Sequence, residues 1–204
     1  MARVTMTTLP RSAAPPSYAA LHAPWIAYLG PVLLALSLLL PWWKIGMVAP
    51  QYPQGLHVTT SFFAVTGDVG EVDELNHYIG FMPLAQVASF ERKAAFFAAP
   101  ITLALLVFAV RRRGAPAWLA ALPALMLPLI FVGDLAFWLH YAGHHLDPHA
   151  PLSTSVAPWT PRLLGAGGVG QFRTYSGFGA GFYCAIAAAL VTIYTLRNGG
   201  LRKR

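Results

Sequence analysis

The densest group of potential ligand atoms lies between Asp134 and His149, which reads Asp-Leu-Ala-Phe-Trp-Leu-His-Tyr-Ala-Gly-His-His-Leu-Asp-Pro-His. This stretch holds four of the seven histidines and two of the seven acidic residues. Imidazole and carboxylate groups are common metal ligands in proteins, and imidazole suits copper and zinc in particular. The candidate metal ligands here are His140, His144, His145, Asp147 and His149.

The spacing of these histidines leaves two arrangements open. His140 and His144 are four residues apart, so on one helix both imidazoles would lie on the same face and could share a metal. Gly143 could instead end the helix, and the residues from His144 to His149 would then be loop ligands. The alternative to a metal site is a polar rim whose histidines hydrogen-bond with lipid headgroups and water.

A second group of candidates lies earlier in the chain. Met47, His57 and His77 offer one thioether and two imidazoles, a combination that favours copper among biological metals. Each is weak evidence alone, because methionine commonly fills gaps in apolar cores. These residues contribute to the same site only if the two segments that carry them fold together.

Asp134 is a separate candidate, because it is a single acid within an apolar run. It precedes His140 by six residues, which places the two side chains about 120° apart around a helix. A carboxylate within a membrane span is unfavourable by a few kcal/mol and usually has a partner or a functional role. A buried hydrogen bond to a nearby polar group is the alternative explanation.

The composition places these residues in a membrane protein. Of the 204 residues, 56% are hydrophobic and only 10% are charged, which is too apolar for an ordinary soluble domain. The net charge of +7 does not indicate nucleic-acid binding, since much of the basic excess lies at the ends of apolar runs. A single cysteine excludes a Cys-x-x-Cys zinc or redox site.

The apolar runs predict an all-α membrane protein with four transmembrane helices and two structured extracytoplasmic loops. A weak strand signal over 57–66 allows a small β-hairpin in the first loop. The predicted spans are residues 25–43, 94–110, 118–141 and 178–196, and the predicted external loops are 44–93 and 142–175. A tail of residues 1–24 precedes this domain of residues 25–196, and a basic tail of residues 197–204 follows it. The glycine run 165–170 is interpreted as a flexible turn, because it lacks the lysine of a phosphate-binding loop.

The distribution of basic residues predicts the orientation. Nine of the fourteen lysines and arginines fall in the two tails and in the turn Arg111–Arg113, against five in the external loops. Cytoplasmic segments carry the excess of basic residues in membrane proteins. We therefore expect a multi-pass protein of the bacterial inner membrane with both termini in the cytoplasm, so that the histidine-rich segments face the periplasm.

Three motifs resemble a largely uncharacterised family of small four-span bacterial membrane proteins that occur beside genes for nitrous-oxide reductase maturation and copper handling. They are Ala-Pro-Gln-Tyr-Pro-Gln-Gly-Leu at 49–56, Leu-Asn-His-Tyr-Ile-Gly at 75–80, and Tyr-Ala-Gly-His-His-Leu-Asp-Pro-His-Ala-Pro at 141–151. Gln54 and Phe81 depart from the glutamate and methionine common in that family. The resemblance implies a role in copper handling.

The leading hypothesis is a non-enzymatic accessory protein that binds copper, or another divalent metal, at the periplasmic face for a cuproenzyme. His77, His144 and Asp147 are its central predicted ligands. The alternative is a structural or assembly subunit of a larger membrane respiratory or oxidase complex, in which the histidines are incidental. A third hypothesis, a metal-dependent oxidation enzyme, requires an open coordination position and a substrate cavity.

Overall fold

The computed structural model describes residues 25–198. The predicted N-terminal tail of residues 1–24 and most of the basic C-terminal tail lie outside the described residues. Within the described part the chain forms five helices: α1 (Ile26–Leu39), α2 (Val69–Ile79), α3 (Ser89–Val110), α4 (Ala115–His144) and α5 (Ala180–Arg197). Five strands accompany them: β1 (Trp43–Ala49), β2 (Tyr52–Thr60), β3 (Val65–Gly67), β4 (Gly165–Val169) and β5 (Phe172–Phe178).

The strands form one antiparallel sheet in the order β3-β2-β1-β5-β4. The prediction of an all-α membrane protein is therefore wrong, and the fold is mixed. The sequence analysis allowed a β-hairpin in the first external loop, but it did not predict that a strand of this loop pairs with a strand of the second loop. β1 pairs with β5 across more than a hundred residues of sequence, with Ile45 opposite Ser176 and Met47 opposite Thr174.

Alternation along the strands explains how they form a sheet with one sheltered face. Trp43, Ile45 and Met47 project to one side, and their partners Thr60, Val58 and Leu56 on β2 project to the same side. Leu56 and Val58 pack there against Val72 of α2 in a small apolar core. The glycine run 165–170, interpreted from the sequence as a flexible turn, is mostly the edge strand β4, and Gly170 begins the tight turn into β5.

Three of the described helices, α3, α4 and α5, are long and apolar enough to cross a membrane. The prolines at 100, 123 and 128 lie inside α3 and α4 without ending them, as is tolerated in membrane helices. α1 has only 14 residues, which is about 21 Å and less than the ~30 Å of a bilayer core. The run predicted as a first span thus ends earlier, because Trp43 already belongs to β1.

Short links join α1 to β1 and β5 to α5, and these two links are neighbours in the structure. Three residues separate α1 from β1, and one residue separates β5 from α5. The amide N–H of Gly179 donates to the carbonyl of Trp42 at 2.8 Å, and that of Gly181 donates to Pro41 at 2.7 Å. The pairing of β1 with β5 therefore continues into the packing of α1 against α5.

A buried tryptophan occupies this junction. Trp42 is fully buried and its indole N–H donates to the carbonyl of Ser37 at 2.8 Å. Its ring contacts Phe62, Phe131 and Phe182, which belong to three different segments. The core thus ties the sheet to the membrane helices instead of leaving it as a separate domain.

Candidate functional site

Two of the motifs singled out in the sequence meet in space. The segment 75–80 ends α2, and the segment 141–151 begins in the last turn of α4 and continues beyond it. The amide N–H of Asp147 donates to the carbonyl of Gly80 at 2.8 Å, and that of Leu152 donates to Tyr78 at 2.9 Å. The residues beyond α4 are therefore held against the end of α2.

Gly80 has the conformation that this contact requires. It caps α2 in the left-handed region with φ of 78°, which glycine adopts at little cost. A Cβ placed on Gly80 would lie 2.6 Å from the carbonyl oxygen of Asp147. Gly143 is a similar close approach, because its carbonyl accepts a hydrogen bond from Trp159 and a Cβ there would overlap the Trp159 backbone.

The last turn of α4 carries the closest pair of histidines. Helix α4 continues through Gly143 to His144, so His140 and His144 stack one turn apart with ring centroids 4.1 Å from each other. The Nδ1 of His144 lies 2.9 Å from the carbonyl oxygen of His140, and that of His145 lies 2.9 Å from the carbonyl of Tyr141. A carbonyl only accepts, so in the neutral imidazole each Nδ1 carries the proton and each Nε2 keeps a lone pair.

Asp147 and His149 form a second pair. The backbone N–H of His149 donates to Oδ1 of Asp147 at 2.8 Å, and its imidazole Nδ1 lies 3.2 Å from the same oxygen. The backbone hydrogen bond is the main reason that the pKa of the Asp147 carboxyl falls below its ordinary value of 3.8. Partial desolvation opposes this shift, while the imidazoles of His149 and His77 add to it.

His77 lies near this pair without bonding to it. It is exposed in the last turn of α2, makes an edge contact with Tyr78, and is close enough to Asp147 to influence its carboxyl electrostatically. No ion pair between the two is formed. The structure thus brings His77, Asp147 and His149 to the same surface.

The remaining two candidates lie apart from each other. His57 and Met47 are on adjacent strands, but Met47 is opposite Leu56 whereas His57 is opposite Gly46. Because side chains alternate along strands, Met47 faces the sheltered side of the sheet and His57 faces outward, where it is exposed. These two residues cannot contribute to one metal site. Over residues 25–198, no three His, Cys, Asp or Glu side chains are grouped closely enough to hold a metal ion.

Next to these residues lies a cavity of about 1100 Å³ that the sequence did not reveal. One wall is the sheltered face of the sheet, including Trp43, Ile45 and Met47, and the opposite wall is the outer part of α4, including Leu135 and Trp138. The alternation of Trp43, Ile45 and Met47 was a usable strand signal. This alternation does not predict which strand β1 pairs with, so it could not indicate the pairing of β1 with β5.

Asp134 lines this cavity, one turn of α4 before Trp138. The two side chains lie close together, yet within residues 25–198 the buried indole N–H has no partner in hydrogen-bond geometry. Glu91, at the start of α3, interacts electrostatically with Asp134. The acid that the sequence analysis predicted within a span thus belongs to the cavity wall, six residues before His140.

Comparison of the chain with protein-family models, with curated proteins and with solved structures found no match.

Proposed function

We propose that this multi-pass membrane protein is a copper-handling accessory protein, which carries copper as cargo on the histidine surface at the end of α4. The observation that supports this proposal best is the stacked pair His140 and His144. Imidazole is a good copper ligand, and a helical spacing of four residues allows two rings to bind one ion. We further propose that this surface faces the periplasm of a bacterial inner-membrane protein.

The hydrogen bonds of this surface suit metal binding. Metal-bound histidines commonly donate their other ring N–H to a carbonyl, which fixes the tautomer and strengthens the ligand. The Nδ1 contact of His144 with the His140 carbonyl is of this kind. His140 is held in turn through its own Nδ1, 3.2 Å from the hydroxyl of Thr160.

A copper site with only two protein ligands is better suited to transferring the ion to another protein than to storing it. Because no third His, Cys, Asp or Glu of residues 25–198 is grouped with His140 and His144, the site would provide two protein ligands and leave other positions on the ion open. A receiving protein could supply ligands at those positions and take the metal. The Asp147 carboxylate on the neighbouring surface would attract the cation during this exchange.

A cuprous-ion titration tests the proposal. The full-length protein in lipid nanodiscs is titrated in competition with a colorimetric cuprous chelator, and about one ion per chain is expected. Loss of an outer-shell partner typically weakens metal affinity by about 10-fold to 100-fold, and loss of a direct ligand should weaken it by at least ~10-fold. We therefore expect at least that loss for His144→Ala, and little change for His57→Ala on the far side of the sheet.

The same experiment distinguishes the alternatives. Equal binding by the wild type and His144→Ala would contradict the proposal. A weaker affinity in His77→Ala would extend the site to the end of α2. Failure to bind cuprous or cupric ions, together with co-purification of large membrane partners, would instead favour a structural subunit of a larger complex.

A further inference from the structure

The cavity beneath the sheet is too large and too apolar to be a packing defect. Protein interiors are packed as densely as organic crystals, with few voids larger than a water molecule. Ligand pockets typically occupy about 300–1,000 Å³, and this cavity has about 1100 Å³. Its walls are mostly apolar, so water would gain few hydrogen bonds inside it. An apolar occupant is the better match.

The polar groups in the wall restrict the headgroup of that occupant. Trp138 presents a buried N–H that has no acceptor in hydrogen-bond geometry among residues 25–198, although the Asp134 carboxyl lies close to it. Asp134, one turn away, presents a carboxylate that only accepts when ionised. A group that bridges Trp138 and the ionised Asp134 must therefore accept one hydrogen bond and donate another.

A hydroxyl group meets both requirements. Its oxygen accepts from the indole N–H while its proton goes to the carboxylate. A protonated amine can donate but has no lone pair to accept, and a carboxylate or phosphate can only accept. A neutral hydroxyl headgroup is thus the simplest group that satisfies both side chains at once.

The charges around the cavity also disfavour an anion. Glu91 adds a second carboxylate close to Asp134, and one of its oxygens is buried without a partner within the described chain. The guanidinium of Arg92 is already engaged, since it donates to the carbonyls of Ala85 and Val87. The other lining cation, Arg162, is exposed and lies beside Gly167 on the β4 side of the cavity.

We propose that this cavity binds a neutral lipophilic molecule with a hydroxyl headgroup, such as a long-chain alcohol or an alkylphenol, with the hydroxyl between Asp134 and Trp138. The apolar part of the ligand would lie against the sheltered face of the sheet. The cavity adjoins the histidine surface, since Thr160 lines the cavity and bonds His140. No histidine of residues 25–198 lines it, so this inference goes beyond the copper proposal and does not depend on it.

A matched series of three ligands tests the headgroup. Tritiated hexadecanol, hexadecanoate and hexadecylamine are added to the full-length protein in phosphatidylcholine nanodiscs at pH 7, and binding to empty nanodiscs is subtracted. We expect saturable binding of hexadecanol, with an affinity at least ~5-fold higher than that of hexadecanoate, since hexadecanoate cannot donate to the Asp134 carboxylate. Hexadecylamine keeps the hydrogen bond to Asp134 and lacks only the one from Trp138, so its affinity should not change in the Trp138→Phe variant.

Variants then locate the site. Trp138→Phe keeps the aromatic wall and removes the donor, so hexadecanol affinity should fall about 3-fold to 10-fold. Trp118→Phe, at the other end of α4, is its control and should have no effect. Leu139→Trp fills the cavity and should abolish binding, whereas Leu129→Trp, on the exposed side of the same helix, should not. A cooperative thermal unfolding transition, measured for each variant, serves as the control that the variant is folded.

Asp134→Asn checks the charge. Removing the negative charge should raise the affinity for hexadecanoate. The difference in affinity between hexadecanol and hexadecanoate should therefore become smaller. The proposal would be overturned by any of three results: no saturable hexadecanol binding, binding that survives Leu139→Trp, or hexadecanoate binding as tight as that of hexadecanol.

Discussion

The backbone of Asp147 rests on Gly80, with the Asp147 N–H donating to the Gly80 carbonyl at 2.8 Å. This contact joins the end of α2 to the segment that follows α4. It is the point at which two distant motifs share one surface. The predictions below test this contact, the junction between sheet and membrane helices, and the pairing that closes the sheet.

Replacing Gly80 should destabilise the contact between α2 and the segment after α4, which brings His77 and Asp147 to one surface. Gly80→Ala forces a side chain into the left-handed region, which costs roughly 1–2 kcal/mol, and its Cβ would crowd the Asp147 backbone. We expect a lower unfolding temperature in nanodiscs. Gly70→Ala in the same helix is the control, since nothing lies within 4 Å of a Cβ there, and it should be neutral or slightly stabilising.

Asp147 should contribute to the pH dependence of stability in the metal-free protein. Its folded-state pKa is lowered, so the stabilisation is complete above the ordinary value of 3.8 and is lost as the pH falls through the lower folded value. Thermal unfolding measured from pH 6 to pH 2 should show this loss. Asp147→Asn should reduce the loss of thermal stability between pH 6 and pH 2. A variant that loses as much stability as the wild type over this range would contradict the prediction.

Gly181 allows the start of α5 to approach the end of α1. A Cβ on Gly181 would lie 2.6 Å from the carbonyl oxygen of Leu40 and 2.7 Å from the ring of Trp42. Gly181→Ala should therefore destabilise the protein by about 1–3 kcal/mol, as overpacking usually does. Gly177→Ala is the matched control, because a Cβ there meets nothing within 4 Å. Similar unfolding temperatures for both variants would count against this close approach.

Cross-strand disulfides test the sheet. Val48 and Arg173 face each other on β1 and β5, and paired strands hold opposite Cα atoms within the range that a disulfide spans. With Cys184 replaced by Ser, the pair Val48→Cys and Arg173→Cys should form a disulfide on mild oxidation. The pair Lys44→Cys and Arg173→Cys is four positions out of register and should remain reduced. The opposite pattern would disprove the strand order.

The sequence predicted the membrane helices better than the sheet. Long apolar runs identify α3, α4 and α5 from composition alone. The sheet depends on pairing between residues near 45 and residues near 175, which local patterns do not encode. β4 was missed because its glycines have low strand propensity.

The candidate site was predictable only in part, for related reasons. The four-residue spacing predicted that His140 and His144 would lie together if the helix continued. It could not show that His57 and Met47 occupy opposite faces of the sheet, because that depends on the register of β1 with β2. The cavity was not predictable, since its walls come from segments far apart in the chain.

The two short links from α1 to β1 and from β5 to α5 leave no hinge between the sheet and the helices that hold it. With Trp42 packed between them, the sheet is held in one orientation relative to α1 and α5. The sheet and these helices should therefore unfold as one cooperative unit.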